Sequence, residues 1–464
     1  MKINFQNVGP IVNGDIELGN LTILAGGNNT GKTYITYMVF GLLTFLKNDF
    51  GLHLLARDIT NNIREDNKSS ILFTAEMLRK VIETHVEEFD ESDFARIFSC
   101  DDDRFKNSKI KLIFNDNDLN PTSPEELNET IKFRGYEIVV NIKPNIRKRD
   151  WQIEVSINKD LDNTKENYVG ASLIRSIKRI IGSYFYSLFF PRPYLSTSER
   201  LGIALFYKDL DSNRNSMVEY LQQMKSKSNE ANSFDPFEFL EKATSRFAFP
   251  VHENINRIRS LNSIQKEKSI IDDLDLSLYI SNMMGGTYKV IEDEIVFSNN
   301  KRAKNKMNFP VHLGSSSLRT LADVFFYLKH SARPNDLLMI DEPESHLTPQ
   351  NQIIFVRMIA AAISKGIKVY LTTHSDYIIK EINNLIMLSK VLDSDFNLIE
   401  KKYGYKNCEV LNIDTVQGYL CSKGNIEHCP KNEFGLVVSN IDDAIDDLNQ
   451  RTQDIAELLH NQLN

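Results

Sequence analysis

Several short stretches of this chain hold residues whose types and spacing suit phosphate chemistry. In AGGNNTGKTY, Gly26, Gly31, Lys32 and Thr33 complete the spacing G-x-x-x-x-G-K-[ST] of a phosphate-binding loop. Glycines let the backbone turn tightly enough for consecutive N–H groups, those of Asn28, Asn29 and Thr30 among them, to face one anion. A helix opening at Lys32, Thr33 and Tyr34 adds its partial positive charge. Lys32 would reach the β- and γ-phosphates of a nucleotide, and the Thr33 hydroxyl would ligate Mg²⁺. The loop says that a nucleotide binds; it does not say what the nucleotide drives.

In DLLMIDEPESHLTPQNQ, Asp341 and Glu342 stand side by side after four apolar residues. At the carboxyl edge of an α/β sheet, Asp341 would hold Mg²⁺, usually through water, and Glu342 would orient and deprotonate an attacking water. The run IKVYLTTHS ends in His374, close enough in such a sheet to contact a γ-phosphate, with Thr372, Thr373 and Ser375 as neighbouring hydroxyls. Ser315, Ser316 and Ser317 open a helical pattern, where hydroxyls and free N–H groups bind an anion. Simple capping needs one serine; three permit more. A last group, Ser196, Thr197, Ser198, Glu199 and Arg200, has the makeup of a phosphate or metal site and equally that of an ordinary loop start.

The elements that must position these groups follow from hydrophobic spacing. Leu21 to Leu24 and Leu337 to Ile340 read as buried strands, and Tyr34 to Leu46 as a buried helix. KINFQNVGPI and GDIELGN read as a hairpin leading into the first of them. Phe5 in that hairpin is either an adenine-stacking ring or an inward-facing strand residue. The aromatic run Tyr184 to Phe190 reads as a buried strand delivering the Ser196–Arg200 group. Between the loop and that run, Ala75 to Glu88 is helical, KIKLIF is a strand, and YEIVVNI and WQIEVSI form a hairpin. Its tip carries Arg147, Lys148 and Arg149, which suit nucleic acid, an acidic protein, or plain solvent. Trp151 reads as a packing residue. Lys208 to Ser281 is mainly helical, with Asp235-Pro236 as a helix start; YKVIEDEIVFS is a hairpin and KRAKNK a basic loop. Leu318, Leu321, Ala322, Phe325, Phe326 and Leu328 mark the helix after the serines. Asn440 to Leu459 reads as an amphipathic helix, with Ile441, Ala444, Ile445, Leu448, Ile455 and Leu458 as its stripe.

Composition bounds the class. A chain of 464 residues with 41% hydrophobic content supports two or three domains with real cores. No apolar run reaches the roughly 20 residues of a membrane span, and the start MKINF reads as a strand rather than a signal peptide, so the cytosol is the expected compartment. Cys100, Cys408, Cys421 and Cys429 lack paired C-x-x-C spacing, and Cys421, His428 and Cys429 read as incidental rather than as a zinc site. A net charge of −8 argues against a surface that is basic throughout and leaves room for a local basic patch.

The set GGNNTGKT, SSSLRTLADVFFYLKH, LLMIDEPESHLTPQNQ and LTTHSDYIIKEINNLI resembles the ABC-type ATPases grouped with the SMC and OLD families. In particular it is similar to the stand-alone ATPases of bacterial phage-defence operons such as PARIS and Septu. The resemblance covers about residues 1–45 and 281–388. It implies an α/β P-loop ATPase head assembled from an N-terminal lobe (1–46) and a C-terminal lobe (281–390). A large mixed insertion (47–280) and a C-terminal tail (391–464) complete the chain. It also implies two heads sandwiching ATP, with Lys32 and Thr33 of one copy and Ser315 to Ser317 of the other sharing one nucleotide. The G-S-S-S-L of this chain departs from the usual L-S-G-G-Q signature, and no Q-loop glutamine stands out. Three uses of such a switch compete: a defence ATPase sensing a phage protein or nucleic acid and controlling a separate effector, a DNA repair or chromosome-handling enzyme, and a transporter motor. The insertion and the lack of a span place the last behind the others. OLD proteins carry a C-terminal nuclease for which no room follows His374, so a partner is expected to supply any nuclease activity.

Overall fold

The computed structural model describes residues 1–49, 68–87, 89–114, 118, 125–133, 136–145, 147–159, 171–206, 247–271, 274–291, 294–299, 308–438 and 447–456. At the N-terminus, β1 (Lys2–Val8) and β2 (Ile11–Glu17) form an antiparallel hairpin, followed by β3 (Leu21–Ala25) and the helix α1 (Lys32–Asp49). The middle of the chain supplies β4 (Lys68–Thr74), α2 (Ala75–Glu87), α3 (Glu91–Phe98), β5 (Lys109–Ile113), β6 (Leu127–Phe133), β7 (Tyr136–Asn145) and β8 (Asp150–Lys159). It continues through α4 (Ala171–Phe189), β9 (Pro193–Ser196), α5 (Phe249–Arg259) and α6 (Leu276–Met284). Then come the hairpin β10 (Gly286–Ile291) and β11 (Glu294–Asn299), β12 (Asn308–Pro310), α7 (Ser316–Phe326), β13 (Leu337–Ile340), α8 (Pro349–Ile363) and β14 (Lys368–Thr373). The remaining main elements are α9 (Asp376–Leu388), α10 (Asp393–Tyr403), β15 (Val416–Ser422) and β16 (Asn425–His428).

One sheet of 9 strands organises these elements, in the order β5-β1-β2-β16-β15-β3-β14-β13-β9. Its central strands, from β15 to β9, all run parallel. Parallel strands are covered on both faces, so most of their residues are apolar. Alternate residues divide between two cores: Leu24, Leu337, Met339 and Tyr370 join one, while Ile23, Ala25, Leu338, Ile340, Val369 and Leu371 join the other. The first core takes in α1 and α4, and the second α8 and α9. Register sets the strand ends level. Ile340 pairs with Leu371 and Ser196, and Ala25 with Thr373, so the chain leaves the sheet along one edge after all four strands.

Sheet membership crosses the boundaries expected at 46, 280 and 390. Strands β5 and β9 come from the supposed insertion, and β15 and β16, from the supposed tail, insert between β3 and β2. Strands β4, β8, β7 and β6 form a separate antiparallel sheet, and β10, β11 and β12 another. Such pairings are set by long-range register, which composition along the chain does not reveal.

The aromatic run Tyr184 to Phe190 is not a strand; most of it ends the helix α4. Ile177, Ile180, Ile181, Tyr184 and Phe185 are buried at helical spacing, and this longer period outweighs the strand preference of aromatic residues. The delivering strand is the short β9 beyond the prolines. Trp151 packs edge-on against Phe185 and Phe189, at 5.4 and 5.8 Å between ring centres, as a core residue. Phe5 is also core, fully buried between Gly14 and Ile110. The hairpin β7–β8 forms as expected, with Arg147, Lys148 and Arg149 exposed at its tip. Residues 447–456 are helical, with Leu448 and Ile455 exposed. Asp235-Pro236, KRAKNK and the rest of the Asn440–Leu459 stripe lie outside the described residues.

Candidate nucleotide site

The phosphate-binding loop leaves β3, whose five residues are all buried, and enters α1 without a break. Gly26 has φ +151° and Gly31 φ +101°, conformations that side chains resist. A Cβ on Gly31 would lie 2.9 Å from Pro10 and Ile11, so the β1–β2 turn supports the loop from outside. Asn29 also has a positive φ (61°), and Thr30 Oγ1 donates to Gly27 O at 2.9 Å. Lys32 is buried, and its Nζ donates to Gly26 O and Gly27 O at 2.9 and 2.7 Å. The Tyr34 ring is taken up by packing on Gly9 and stacking on Phe98 at 4.9 Å, which leaves its main-chain N–H, in the first helical turn, as its contribution to the loop.

Asp341 is fully buried at the end of β13. Its Oδ2 accepts from the Thr33 hydroxyl at 3.1 Å and its Oδ1 from the Thr372 hydroxyl at 2.5 Å. Burial pushes its carboxyl above the usual carboxylate range; the two hydroxyls oppose that rise and Glu342 adds to it. The Thr33 and Asp341 oxygens form a hard donor pair beside the loop, which fits magnesium, an ion that takes one or two protein ligands and fills its shell with water and phosphate oxygens. Among the described residues no group of three or more His, Cys, Asp or Glu could hold a metal alone.

Glu342 has φ +48°, left-handed for a non-glycine residue. Its N–H donates to Thr372 Oγ1 at 2.9 Å. Its side chain is partly exposed, with Oε1 3.9 Å from His374 Nδ1. Thus Lys32, Thr33, Asp341, Glu342 and His374 gather at the ends of the adjacent strands β3, β14 and β13.

Glu344, two residues on, is a member of this cluster that the motif reading missed. It is buried, and its Oε1 accepts from Thr373 Oγ1 at 2.8 Å and from His374 N–H at 2.7 Å, tying the end of β14 to the turn after β13. Its Oε1 also lies 3.1 Å from His374 Nδ1. The only signal in the sequence was a third carboxylate in the run DEPES.

In the group at the end of β9, Thr197, Glu199 and Arg200 bond to neighbouring parts of the protein. Arg200 is buried and spends its guanidinium on main-chain carbonyls: Thr197 O, Asp341 O and Glu342 O, at 3.0, 2.6 and 2.8 Å. Glu199 Oε2 accepts from the Tyr37 hydroxyl of α1 at 3.0 Å. The three serines keep to their own helix and its neighbour. Ser315 caps α7 through Leu318 N–H, Ser316 Oγ accepts from Arg319, and Ser317 Oγ donates to His346 O at 2.6 Å. These bonds do not join them to the loop of the same chain. The Cys421 and Cys429 thiols are buried and pushed up to about 12 and about 11 by that burial. His428 Nε2 lies 3.1 Å from Gln417 Oε1.

Among solved structures, the chain is similar to the Smc head domain with an extended coiled coil bound to the C-terminal domain of ScpA from Pyrococcus furiosus. That match has 14% identity over 97% of this chain and 98% of the other, with a TM-score of 0.34. It is also similar to the SMC head domain from Thermotoga maritima, at 13% identity over 93% and 98%, with a TM-score of 0.29. No curated protein matches the sequence. The family model described as an AAA ATPase domain matches residues 1–379, spanning the phosphate-binding loop, the Asp341–Glu342 pair and His374, and the chain belongs to that family.

Proposed function

We propose that this protein binds and hydrolyses ATP as a molecular switch, closing head to head with a second copy around the nucleotide. The observation that carries this reading is the 3.1 Å bond from Thr33 to Asp341, which unites the phosphate-binding loop with the carboxylate pair. Lys32 and the loop N–H groups would hold the phosphates, and Glu342 would orient and deprotonate the attacking water. Magnesium, when bound, would neutralise charge on the β- and γ-phosphate oxygens. His374 would donate to the γ-phosphate. Ser315 to Ser317 would meet the nucleotide of the partner copy. A serine loop that reaches the γ-phosphate only across an interface gives ATP a higher affinity for the closed state, which is what makes binding a switch. No described helix is long and apolar enough to cross a membrane, which suits a cytoplasmic protein better than a transporter motor.

The test is turnover and mass in the presence of Mg-ATP. Lys32→Ala is expected to weaken nucleotide binding and leave monomers. Glu342→Gln is expected to retain ATP and accumulate closed dimers. Hydrolysis at the wild-type rate by Glu342→Gln would remove the base assignment.

In the cell, we place the switch in anti-phage defence, where it controls a separate effector, a nuclease encoded nearby; the support is the motif resemblance. Phage plating with the neighbouring gene present, and with Lys32→Ala as the disabled control, tests it, and a neighbourhood of repair genes with no protection refutes it. A second reading, SMC-like DNA repair or chromosome processing, is favoured by one observation, the exposed Arg147, Lys148 and Arg149 at the β7–β8 tip. Salt-dependent DNA binding lost on neutralising that tip would favour it.

A further inference from the structure

The left-handed backbone at Glu342 raises the question of what holds it. A non-glycine residue in this region costs on the order of 1–3 kcal/mol and persists only where its surroundings over-determine it. Here the flanking peptides are pinned from both sides. The Asp341 N–H donates to Ser196 O at 3.0 Å, and the Glu342 N–H to Thr372 Oγ1 at 2.9 Å. The carbonyls of both Asp341 and Glu342 accept from one residue, Arg200, at 2.6 and 2.8 Å. The planar fork of a guanidinium suits two successive carbonyls; an ammonium, a point donor on a flexible stem, does not reproduce it.

Burying that guanidinium is costly unless its surroundings compensate. Its compensation comes from the site itself: Asp341, Asp323, Glu344 and Glu342 supply the nearby negative charge, and desolvation still lowers its proton affinity. Arg200 is also anchored to the middle of the chain. The side chain of Asn254, buried on α5, donates to Thr197 Oγ1 at 3.1 Å, and Arg257 donates to Leu195 O at 3.0 Å.

We propose that Arg200 is a positioning residue for hydrolysis: by clamping the carbonyls of Asp341 and Glu342 it fixes the strained backbone that aims the Glu342 carboxylate, without itself touching nucleotide. This rests on the ATPase reading above. Through β9 and α5, the clamp also gives the middle of the chain a mechanical hold on the reacting carboxylate.

The experiment compares Arg200→Lys and Arg200→Ala with wild type, alone and combined with Glu342→Gln. It measures Mg-ATP affinity and saturated turnover per nucleotide-binding site. Affinity should stay within about threefold of wild type while turnover falls about 100-fold, the cost of misplacing a reacting group by about 1 Å. In the Glu342→Gln background the Arg200 changes should alter residual turnover by less than about threefold, because both act on the same group. A merely structural role would instead lower binding stoichiometry and multiply with Glu342→Gln. If Arg200→Ala does not fold, Arg200→Lys, which keeps the charge and loses the fork, decides. Wild-type turnover by Arg200→Lys, or a full multiplicative loss in the double variants, overturns the proposal. Absence of hydrolysis by wild type would instead overturn the ATPase reading, and the two failures are told apart by that control.

Discussion

Replacing Thr372 by valine removes a single hydroxyl from the centre of the site at almost constant volume. Thr372 is fully buried, and its Oγ1 both donates to Asp341 Oδ1 and accepts from the Glu342 N–H. Valine therefore leaves a part-buried main-chain donor and a buried carboxylate oxygen each short of a partner. Each loss costs about 1–3 kcal/mol, and because the two share one oxygen a total of about 2–4 kcal/mol is expected. Over 464 residues, an unfolding entropy of about 2.1 cal/mol/K per residue gives roughly 1 kcal/mol per degree. The thermal midpoint should then fall by about 2–4 °C.

The sign of the pH dependence follows from Asp341. Its carboxyl already lies above the usual range through burial, and the Thr372 hydroxyl holds it down, so valine raises it further. A carboxyl with a raised folded-state value binds its proton more tightly in the folded protein. Its stabilising share is present below the ordinary value of about 3.9 and is lost as pH rises through the folded value. The valine penalty should accordingly be larger at about pH 7.5 than at about pH 5, measured without nucleotide or magnesium. Thr372→Ser keeps the oxygen and should track wild type. Midpoints for Thr372→Val within about 1 °C of wild type at both pH values would refute the reasoning.

Gly31→Ala should weaken nucleotide binding at least about tenfold by calorimetry, since its Cβ would sit 2.9 Å from Pro10 and Ile11 on a backbone of φ +101°. Gly202→Ala, where a Cβ meets nothing within 4 Å, is the matched control and should bind as wild type does. For the thiols, maleimide near neutral pH should label at most Cys100 and Cys408 in the folded protein, and all four cysteines once it is unfolded, read by mass. Labelling of folded Cys421 or Cys429 would contradict their burial and their raised thiol values.

The parts of the site that were legible in the sequence are those whose chemistry is local. Lys32 and Thr33 follow their glycine by one and two residues; Asp341 and Glu342 follow their strand directly; His374 ends its own. A spacing rule captures each because strand, turn and side chain are consecutive. Arg200 was legible only as a charged residue near a loop start. Its role depends on β9 pairing with β13 in the register that puts Ser196 beside Ile340, a pairing between segments more than 140 residues apart. Tyr184 to Phe190 misled for a related reason: seven residues show composition, whereas the helical burial of Ile177, Ile180 and Ile181 shows only over a longer window.

Gly26 shows that even a legible residue can have a second reason. The motif assigns it to the anion, by way of a tight turn. In the fold, a Cβ there would lie 2.7 Å from the carbonyl oxygen of Cys421, on β15, and 2.9 Å from Thr30 Oγ1. Strand β15 pairs with β3 so that Leu420 stands beside Ala25, which brings the next carbonyl across the first residue of the loop. The glycine is thus required by the far end of the chain as well as by phosphate. The segment expected to be a tail is a wall of the loop, and the family model, ending at residue 379, leaves that wall outside the matched region. A nucleotide site on this sheet is consequently built from three separated parts of the sequence: β3 with its loop, β13 and β14 with their acids and histidine, and β15 behind Gly26. Loss of β15 would expose one side of β3 and remove the carbonyl that closes the loop's first turn, so the residues after 379 are part of what makes the motif at 26–33 a site.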